Sequence, residues 1–472
     1  MIGAAAGFLL PVAAVWLAIV ALRLHSGIRS RAVIAAVAIC IGLGVSSLTT
    51  TWLLALGMSI GRVFVAIDAL LWTSIGAFAW WYDQRVTSGG RGRSVVMSTV
   101  PSRGLTTADW LVRGVFGIVA VAAVVSALSA FMAAPHGEWD SWAVWNQKAR
   151  FLYLGDTGWR ALFAIDWSNP GHPLLVPMTV ARLWAYTGAE STIVPATVGV
   201  VFGGAIVSAV IGALDTRSAR AWIAGSVLLA AGTFVQQVAS QQADVPFACF
   251  LVATLIVLRD VAMSKREGHE GSRSLLLAGT LATLAAWTKN EGLVVVVGTA
   301  SLVGWMALRD ARPYRAAWWM VGAAPAMMTL VWFKLLVAPV APGYLAEGST
   351  GGLLLERFFG ADRHAIVGAL LWQYASAWGG PLANGVVLLG LVAATLVAVT
   401  RAGRSGRAML GAVGVLIASY YVVYLQTSME VEWLMMTTFD RLMVQIWPTL
   451  VLAAFLTQRE SAPAAAAEAG GR

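Results

Sequence analysis

Acidic, basic and aromatic residues follow one another over residues 137–150, directly after a long apolar run. Glu138 and Asp140 are two carboxylates separated by one residue, and the cations Lys148 and Arg150 come shortly after them. A carboxylate at the boundary between water and lipid can accept a proton from a hydroxyl or an amine. Cations nearby can hold a phosphate and stabilise the charge that it gains when a bond breaks. The segment therefore indicates chemistry on a charged substrate at a membrane surface.

Three further charged clusters flank or interrupt apolar runs. Asp244 stands just before a run that begins with a proline. Lys289, Asn290 and Glu291 divide a long apolar run in two, and Arg441 lies at the start of the last run. Ionisable residues next to membrane-spanning segments are rare and commonly have a function. We therefore treat these residues as candidates for a site.

Each cluster also has an ordinary structural interpretation. Glu138 and Asp140 could lie in a solvated loop whose tryptophans belong to an aromatic belt. Asp244 could cap the helix that follows it. Lys289 could pair with the acid two residues later in a tight turn, and Arg441 could anchor a helix at the interface. A tight turn does not need two opposite charges, so the functional interpretation of that segment is favoured.

Aromatic and metal-binding side chains extend the candidate site. Trp139 and Trp142 could stack on a sugar ring or line the membrane interface, and His172 lies at the end of the same loop. Glu138 and Asp140 could also hold a divalent metal through their oxygens. Two acids without a third ligand are weak evidence, so the sequence leaves a metal possible and indicates no other cofactor.

Composition places the chain among membrane proteins. Of its 472 residues, 59% are hydrophobic and 12% are charged, and the mean hydropathy is +0.75. A soluble domain could not bury so much apolar surface. The two cysteines, Cys40 and Cys249, lie in apolar runs and suggest neither a disulfide framework nor a metal site. Residues 2–22 have basic residues after them and none before, so we expect an uncleaved span rather than a signal peptide.

The apolar runs predict an all-α polytopic protein with about 13 transmembrane helices, each of about 17–25 residues. They lie at 2–22, 33–56, 62–82, 112–134, 192–214, 221–240, 246–264, 274–288, 292–308, 316–338, 383–400, 408–426 and 441–457.

The positive charges are distributed unevenly between the connecting loops. If the N-terminus is outside and the C-terminus cytoplasmic, most of the 32 Lys and Arg residues fall on the inner side. The net charge of +9 thus reflects topology and does not indicate a nucleic-acid partner. The same rule requires residues 173–190 to lie at the outer interface or to dip partway into the membrane instead of crossing, and 365–378 are interpreted likewise. All four charged clusters then lie on the outer face.

Several motifs together resemble the GT-C superfamily of integral membrane glycosyltransferases, and within it the branch of protein mannosyltransferases and aminoarabinose transferases. They are the acidic pair in the first outer loop of the core, the His-Pro-Leu-Leu-Val-Pro run at 172–177, Asp244 before its proline, Thr-Lys-Asn-Glu-Gly at 288–292, and Asp-Arg-Leu with Trp-Pro at 440–448. The motifs are short, and only their combination and order are specific.

The resemblance covers a predicted catalytic core at residues 112–457. It leaves residues 1–111 as three additional N-terminal helices followed by a basic cytoplasmic loop. Residues 458–472 are expected to be a disordered cytoplasmic tail.

The resemblance implies a transferase in the cell membrane that uses a polyprenyl-phosphate sugar as donor. The acceptor would be a glycan, a lipid or a protein on the extracytoplasmic face. Asp140 would be the base, with Glu138 as its partner or substitute, because here Trp139 separates two acids that are often adjacent in the family. The residues implied to bind donor phosphate are Lys148, Arg150, Lys289 and Arg441. Those implied to support the substrate are Asp244, Asn290, Glu291, His172, Trp139 and Trp142.

Two other functions remain open at this point. A flippase or transporter of lipid-linked sugars would also be polytopic, but it should have charged or broken helices near the bilayer midplane and internal repeats. The sequence has no clear sign of either feature. An O-antigen ligase or polymerase would use the same kind of donor, but its large outer loop would come late in the chain.

Overall fold

A computed structural model describes residues 2–26, 28, 30–86, 105–164, 169–263, 272–338, 351–379 and 404–456. Regular structure within these ranges is entirely helical. The predicted tail at 458–472, the predicted span at 383–400 and most of the basic loop 83–111 lie outside the described residues.

Seventeen α-helices are numbered here in chain order. They are α1 Ile2–Ala21, α2 Arg31–Ala55, α3 Arg62–Val86, α4 Thr107–Ala133, α5 Asn146–Leu154, α6 Leu175–Thr187, α7 Ile193–Ala213, α8 Ala219–Ala230, α9 Gly232–Ala239, α10 Asp244–Met263, α11 Ser274–Thr288, α12 Gly292–Arg309, α13 Tyr314–Trp332, α14 Gly351–Phe359, α15 Ala361–Ala377, α16 Arg404–Gln426 and α17 Val431–Phe455. Two π-helical turns, Ser141–Trp145 and Phe333–Val337, and a 3-10 helix, Asp156–Ala164, complete the described elements.

Nine of the described helices are long and apolar enough to cross a membrane, which confirms a multi-pass helical membrane protein. They are α1, α2, α3, α4, α7, α10, α12, α13 with its π-helical turn, and α16. The pair α8 and α9 would make a tenth if counted as one span, although the chain bends by 70° between them. The predicted span at 221–240 is therefore broken rather than continuous.

The predicted spans at 274–288 and 441–457 fall on α11 and α17, which are not among the nine candidates. Helix α11 has 15 residues and is shorter than the nine candidates. Helix α17 begins at Val431, ten residues before the predicted start at 441. Asp440 and Arg441 mark the start of the apolar run in the sequence, but the helix begins before them. Arg441 can lie in the middle of a packed helix with its side chain mostly buried, because Asp140 and Asp244 pair with its charge.

Helix α6 was expected at the outer interface or partway into the membrane, and the structure buries it among other helices of the protein. All residues from Leu175 to Trp184 are buried, and α6 packs against α1, α2, α5 and α7. Its 13 residues extend about 20 Å, which is too short for a bilayer core of about 30 Å. That length agrees with the prediction that this segment does not cross, and its burial shows that protein rather than lipid or water covers it.

A buried ion pair fastens α6 to the N-terminal helices. The guanidinium of Arg182 donates from Nε to both carboxylate oxygens of Asp68 at 3.1 Å. It also donates from Nη1 to the carbonyl oxygen of Gly7 at 2.6 Å, and the hydroxyl of Tyr186 donates to Asp68 at 2.7 Å. Both charged side chains are fully buried. The sequence assigned Asp68 no role, and here it joins α1, α3 and α6.

Helix α2 is deeply packed, whereas α4 is peripheral. In α2, 72% of the residues in an apolar stretch of 18 residues are buried, compared with 6% in the corresponding stretch of α4. Helix α2 packs against α6, α7 and α11 of the predicted core. The thiols of Cys40 on α2 and Cys249 on α10 lie 3.2 Å apart and are free. The helices predicted to precede the core therefore contribute to its interior.

Successive spanning helices run in opposite directions, so the loops between them lie alternately at the two ends of the helices. Charged residues are found at both ends. At one end, Arg113 of α4 donates to the carbonyl oxygen of Thr216, and Arg259 of α10 donates to that of Ala213. These contacts tie helix ends together around the turn from α7 to α8. The loop after α4, the start of α10 and the turn from α11 to α12 belong to the other end, which we call the outer end after the orientation predicted from the charges.

The predicted orientation can be tested by labelling single cysteines with a thiol reagent that does not cross the membrane. In a background without Cys40 and Cys249, we expect His136→Cys and Glu430→Cys to be labelled from outside intact cells. Thr216→Cys and Ala311→Cys should be labelled only after the cells are opened. All four native positions are exposed, so differences in labelling would report membrane side. Labelling of Thr216→Cys in intact cells would contradict the orientation.

Candidate functional site

Asp244 lies at the centre of a buried charge cluster at the outer end. It is the first residue of α10 and is fully buried. Its Oδ1 accepts hydrogen bonds from Lys289 Nζ at 2.8 Å and from Gln445 Nε2 at 2.7 Å. Its Oδ2 accepts from Arg441 Nε at 3.1 Å. Three segments far apart in sequence therefore meet at one carboxylate.

The position of Asp244 at a helix start also favours a negative charge. The N-terminus of a helix carries a partial positive charge and stabilises carboxylates in its first turn. Helix capping was one interpretation of this residue in the sequence. The structure shows that its carboxylate bonds to side chains from the α11–α12 turn and from α17, so it links separate segments in addition to starting its own helix.

Arg441 and Lys289 extend the cluster to two further acids. Arg441 bridges Asp244 and Asp140, because its Nη1 donates to Asp140 Oδ2. The Nζ of Lys289 bonds to Asp244 and also lies 3.2 Å from Oε1 of Glu291. Burial alone would lower the pKa of Lys289, but Asp244 and Glu291 outweigh it and raise that pKa. These five residues alternate in charge and are called the Asp244 cluster below.

An amide network holds the acidic loop against the turn between α9 and α10. Gln242 Nε2 donates to Glu138 Oε2 at 3.3 Å. Asn146 Nδ2 donates to Gln241 Oε1 at 2.7 Å, and Gln241 Nε2 donates to the carbonyl oxygen of Pro135 at 2.9 Å. Gln241 adopts a left-handed backbone conformation with φ of 64°, which is unfavourable for a side chain of this kind. Its two hydrogen bonds help to keep it there.

The acidic pair and two tryptophans face outward beside this network. Glu138 is exposed, and the Asp140 side chain is 34% exposed even though Arg441 holds it. Trp139 and Trp142 are 64% and 44% exposed, and their ring centroids lie 4.6 Å apart in an edge-to-face arrangement. A carboxylate beside exposed aromatic rings provides a surface on which a sugar could stack.

Two lysines next to the Asp244 cluster, Lys148 and Lys334, form what we call the lysine pair. Lys148 of α5 is fully buried, and its Nζ donates to the carbonyl oxygen of Asn169 at 2.7 Å. Lys334 donates to Asn290 Oδ1 at 2.7 Å and to the carbonyl oxygen of Gly171. Among the described residues, neither forms an ion pair with a carboxylate.

The electrostatics of the lysine pair follow from burial without a countercharge among the described residues. Burial lowers the pKa of Lys148 to about 7, and the positive charge of Lys334 lowers it further in the same direction. The side chain of Lys148 therefore loses its proton more readily than an exposed lysine does.

His172 lies between the lysine pair and the Asp244 cluster. Its ring stacks on Trp145 with centroids 5.4 Å apart and an interplanar angle of 11°. Its Nδ1 lies 3.5 Å from Asn290 Nδ2. Burial holds the pKa of His172 well below its usual range, and four surrounding cations add to the effect, namely Lys148, Lys289, Arg441 and Lys334. The imidazole is therefore neutral at physiological pH.

The structure brings most of the predicted residues together and leaves one cation apart. Asp140, Asp244, Lys289, Glu291 and Arg441 share the Asp244 cluster. The other residues of the predicted site lie around it, namely Glu138, Trp139, Trp142, Lys148, His172 and Asn290. Arg150 does not join them: it pairs with Glu190 at 2.8 Å, and its side chain is 64% exposed. It follows Lys148 by two residues in α5, so the two side chains point in different directions.

Sequence reasoning missed Gln445 and Lys334. Lys334 is the one charged residue in the predicted span at 316–338, and a lone charge in a span is a recognised sign of function. Gln445 carries no such sign, because an amide in a helix is common. It receives a hydrogen bond from Tyr420 at 2.7 Å, which fixes the amide that donates to Asp244.

The acid pair does not assemble a metal centre with its neighbours in the described part of the chain. No group of three or more His, Cys, Asp or Glu residues is arranged there to hold a metal ion. The nearest cation to Asp140 is the guanidinium of Arg441.

We compared the chain with models of known protein families, with curated proteins and with solved structures, and found no match. Interpretation of the site therefore depends on its geometry.

The buried carboxylate predicts a specific stability difference. Asp244→Asn would leave the buried cations Lys289 and Arg441 without one of their countercharges, which typically costs about 3–5 kcal/mol. As a control, Glu190→Gln removes the acid of the exposed pair with Arg150 and should cost less than about 1 kcal/mol. Thermal unfolding of both purified variants in detergent would measure the difference. Equal melting temperatures would contradict the central role of Asp244.

Proposed function

We propose that the protein is a membrane glycosyltransferase that moves a sugar from a polyprenyl-phosphate donor to an acceptor on the extracytoplasmic face. The observation that carries the proposal is the meeting of Asp140, Asp244, Lys289 and Arg441 in one cluster. These residues come from the loop after α4, from α10, from the α11–α12 turn and from α17. A structural ion pair needs two of them, whereas a site that handles both a proton and a phosphate needs acids and cations together.

The proposed reaction assigns each charge a task. The acceptor oxygen attacks the anomeric carbon of the donor sugar while its proton passes to the carboxylate of Asp140. The bond between that carbon and the phosphate oxygen breaks, and the electron pair leaves with the phosphate. Arg441 holds Asp140 in place through a charge-assisted hydrogen bond. Cations at the site stabilise the additional negative charge on the departing phosphate.

The acceptor approaches from the side of the exposed residues. Asp140 is partly exposed, and Glu138 and the rings of Trp139 and Trp142 lie beside it. Glu138 is proposed to orient the acceptor, since Gln242 is its hydrogen-bond partner among the described residues and leaves it accessible. The tryptophans offer apolar faces to a sugar ring. These features favour a glycan, a glycolipid or another hydroxyl-bearing envelope molecule as acceptor.

One observation favours a second candidate, a transporter of lipid-linked sugars. Helices α8 and α9 are separated by a 70° bend, and broken spans are common near transport sites. At the bend, the Gly232 amide donates to the carbonyl oxygen of Gly379 at 3.1 Å. A transporter would move the sugar lipid between leaflets without breaking the sugar–phosphate bond, so the two functions differ in their products.

The roles of the two acids can be separated by isosteric substitution. Asp140→Asn keeps the shape of the side chain but removes the charge that accepts the proton. We expect the transfer rate to fall by about 10²–10⁴. Glu138→Gln should reduce the rate less, because an amide can still orient the acceptor. The measurement is the initial rate at which labelled sugar leaves the prenyl-phosphate fraction of isolated membranes.

Wild-type membranes and membranes without the protein set the two limits of this assay. The opposite ranking of the variants would exchange the roles of Glu138 and Asp140. Full activity in the double variant would contradict the proposed transfer chemistry.

A further inference from the structure

The four cations of the site differ in whether a carboxylate neutralises them. Arg441 contacts Asp244 and Asp140, and Lys289 contacts Asp244 and Glu291. The lysine pair, in contrast, contacts oxygens that carry no net charge. In the described part of the chain, the excess positive charge of the site is therefore concentrated at Lys148 and Lys334.

Both lysines are held by the same short segment of the outer loop. Lys148 donates to the carbonyl oxygen of Asn169, and Lys334 donates to that of Gly171. Lys334 also bonds to Asn290, which approaches His172. These contacts place the two ammonium groups around residues 169–172. An ammonium has three donor hydrogens, so Lys148 keeps donors beyond the one that Asn169 accepts.

A buried cation without a countercharge is costly, since desolvation is not offset by an ion pair. This cost applies in full to Lys148, because its side chain is completely buried. An aliphatic side chain of similar length would pack there without the penalty. Among the described residues no carboxylate offsets this cost, whereas a bound anion would supply the countercharge.

We propose that Lys148 and Lys334 are the residues that bind the phosphate group of the donor, with Lys334 as a ligand additional to those indicated by the sequence. This inference rests on the proposed transferase function and refines it. Lys289 and Arg441 become positioning residues, because Asp244, Asp140 and Glu291 already occupy them. The ligand chemistry is a phosphate ester next to an apolar chain, and free phosphate shares part of that chemistry.

The charge of Lys148 also makes the proposed site sensitive to pH. The pKa of about 7 means that the ammonium loses its proton as pH rises through neutrality, so anion binding should weaken above that pH. Other charged groups facing this region are Lys334, Lys289 and Arg441, and His172 faces it as a neutral ring. The low pKa of His172 means that this ring stays neutral across the same range, so it does not contribute to the change.

Direct binding separates this inference from the transfer reaction. Purified full-length protein in detergent is titrated with farnesyl phosphate and, separately, with inorganic phosphate. We expect Lys148→Gln and Lys334→Gln each to weaken binding of farnesyl phosphate by about 10- to 100-fold. Arg160→Gln, which removes an exposed cation from the same outer loop, is the matched control and should bind like the wild type. Tighter binding of farnesyl phosphate than of inorganic phosphate identifies a lipid-linked ligand, and equal binding identifies a general phosphate site.

A second measurement needs no variant and covers the case of a lysine variant that fails to fold. Inorganic sulfate keeps its charge of −2 between pH 6 and pH 9. A change in its affinity over this range therefore arises from protonation of the protein and not of the ligand. We expect wild-type affinity for sulfate to fall as the pH rises through about 7. Affinity independent of pH, or lysine variants that bind farnesyl phosphate like the wild type, would overturn the inference. Lysine-dependent binding without any sugar transfer would instead retain the phosphate site and reject the transferase.

Discussion

The carboxylate of Asp244 is the constraint on which the outer end of the protein depends. A fully buried negative charge is stable only if its hydrogen-bonding capacity and its charge are both satisfied. Lys289, Gln445 and Arg441 provide the three donors, and they come from the α11–α12 turn and from α17. Removing one partner of such a group leaves the others unpaired. The start of α10, that turn and the middle of α17 are therefore fixed relative to one another.

This constraint explains several features that would be unfavourable alone. Helix α17 carries Arg441 and Gln445 within its length because both side chains are used by Asp244. The short helix α11 ends where Lys289 must reach the same acid. Arg441 then extends to Asp140 and places a partly exposed carboxylate at the mouth of the site. The guanidinium of Arg441 thus connects the accessible Asp140 to the buried Asp244.

Much of this arrangement could be predicted from sequence, because charge distribution fixed the side of each loop. Once Asp140, Asp244 and Lys289 were assigned to one face, their proximity was a reasonable expectation. The sequence could not distinguish Lys148 from Arg150, since direction within a short helix depends on packing. It also left open whether α6 lies at the interface or partway into the membrane, because an apolar run does not reveal whether lipid or protein covers it. Lys334 was hidden within an apolar run that was interpreted only as a span.

In the function that we propose, the site breaks the bond between a sugar and a prenyl phosphate at the outer face of the membrane. Lipid analysis of a strain that lacks the protein tests it most directly. We expect one prenyl-phosphate sugar to accumulate and an envelope product to lose that sugar, with both changes reversed by the wild-type protein. An unchanged prenyl-phosphate pool together with a fully glycosylated envelope would reject the proposed transferase.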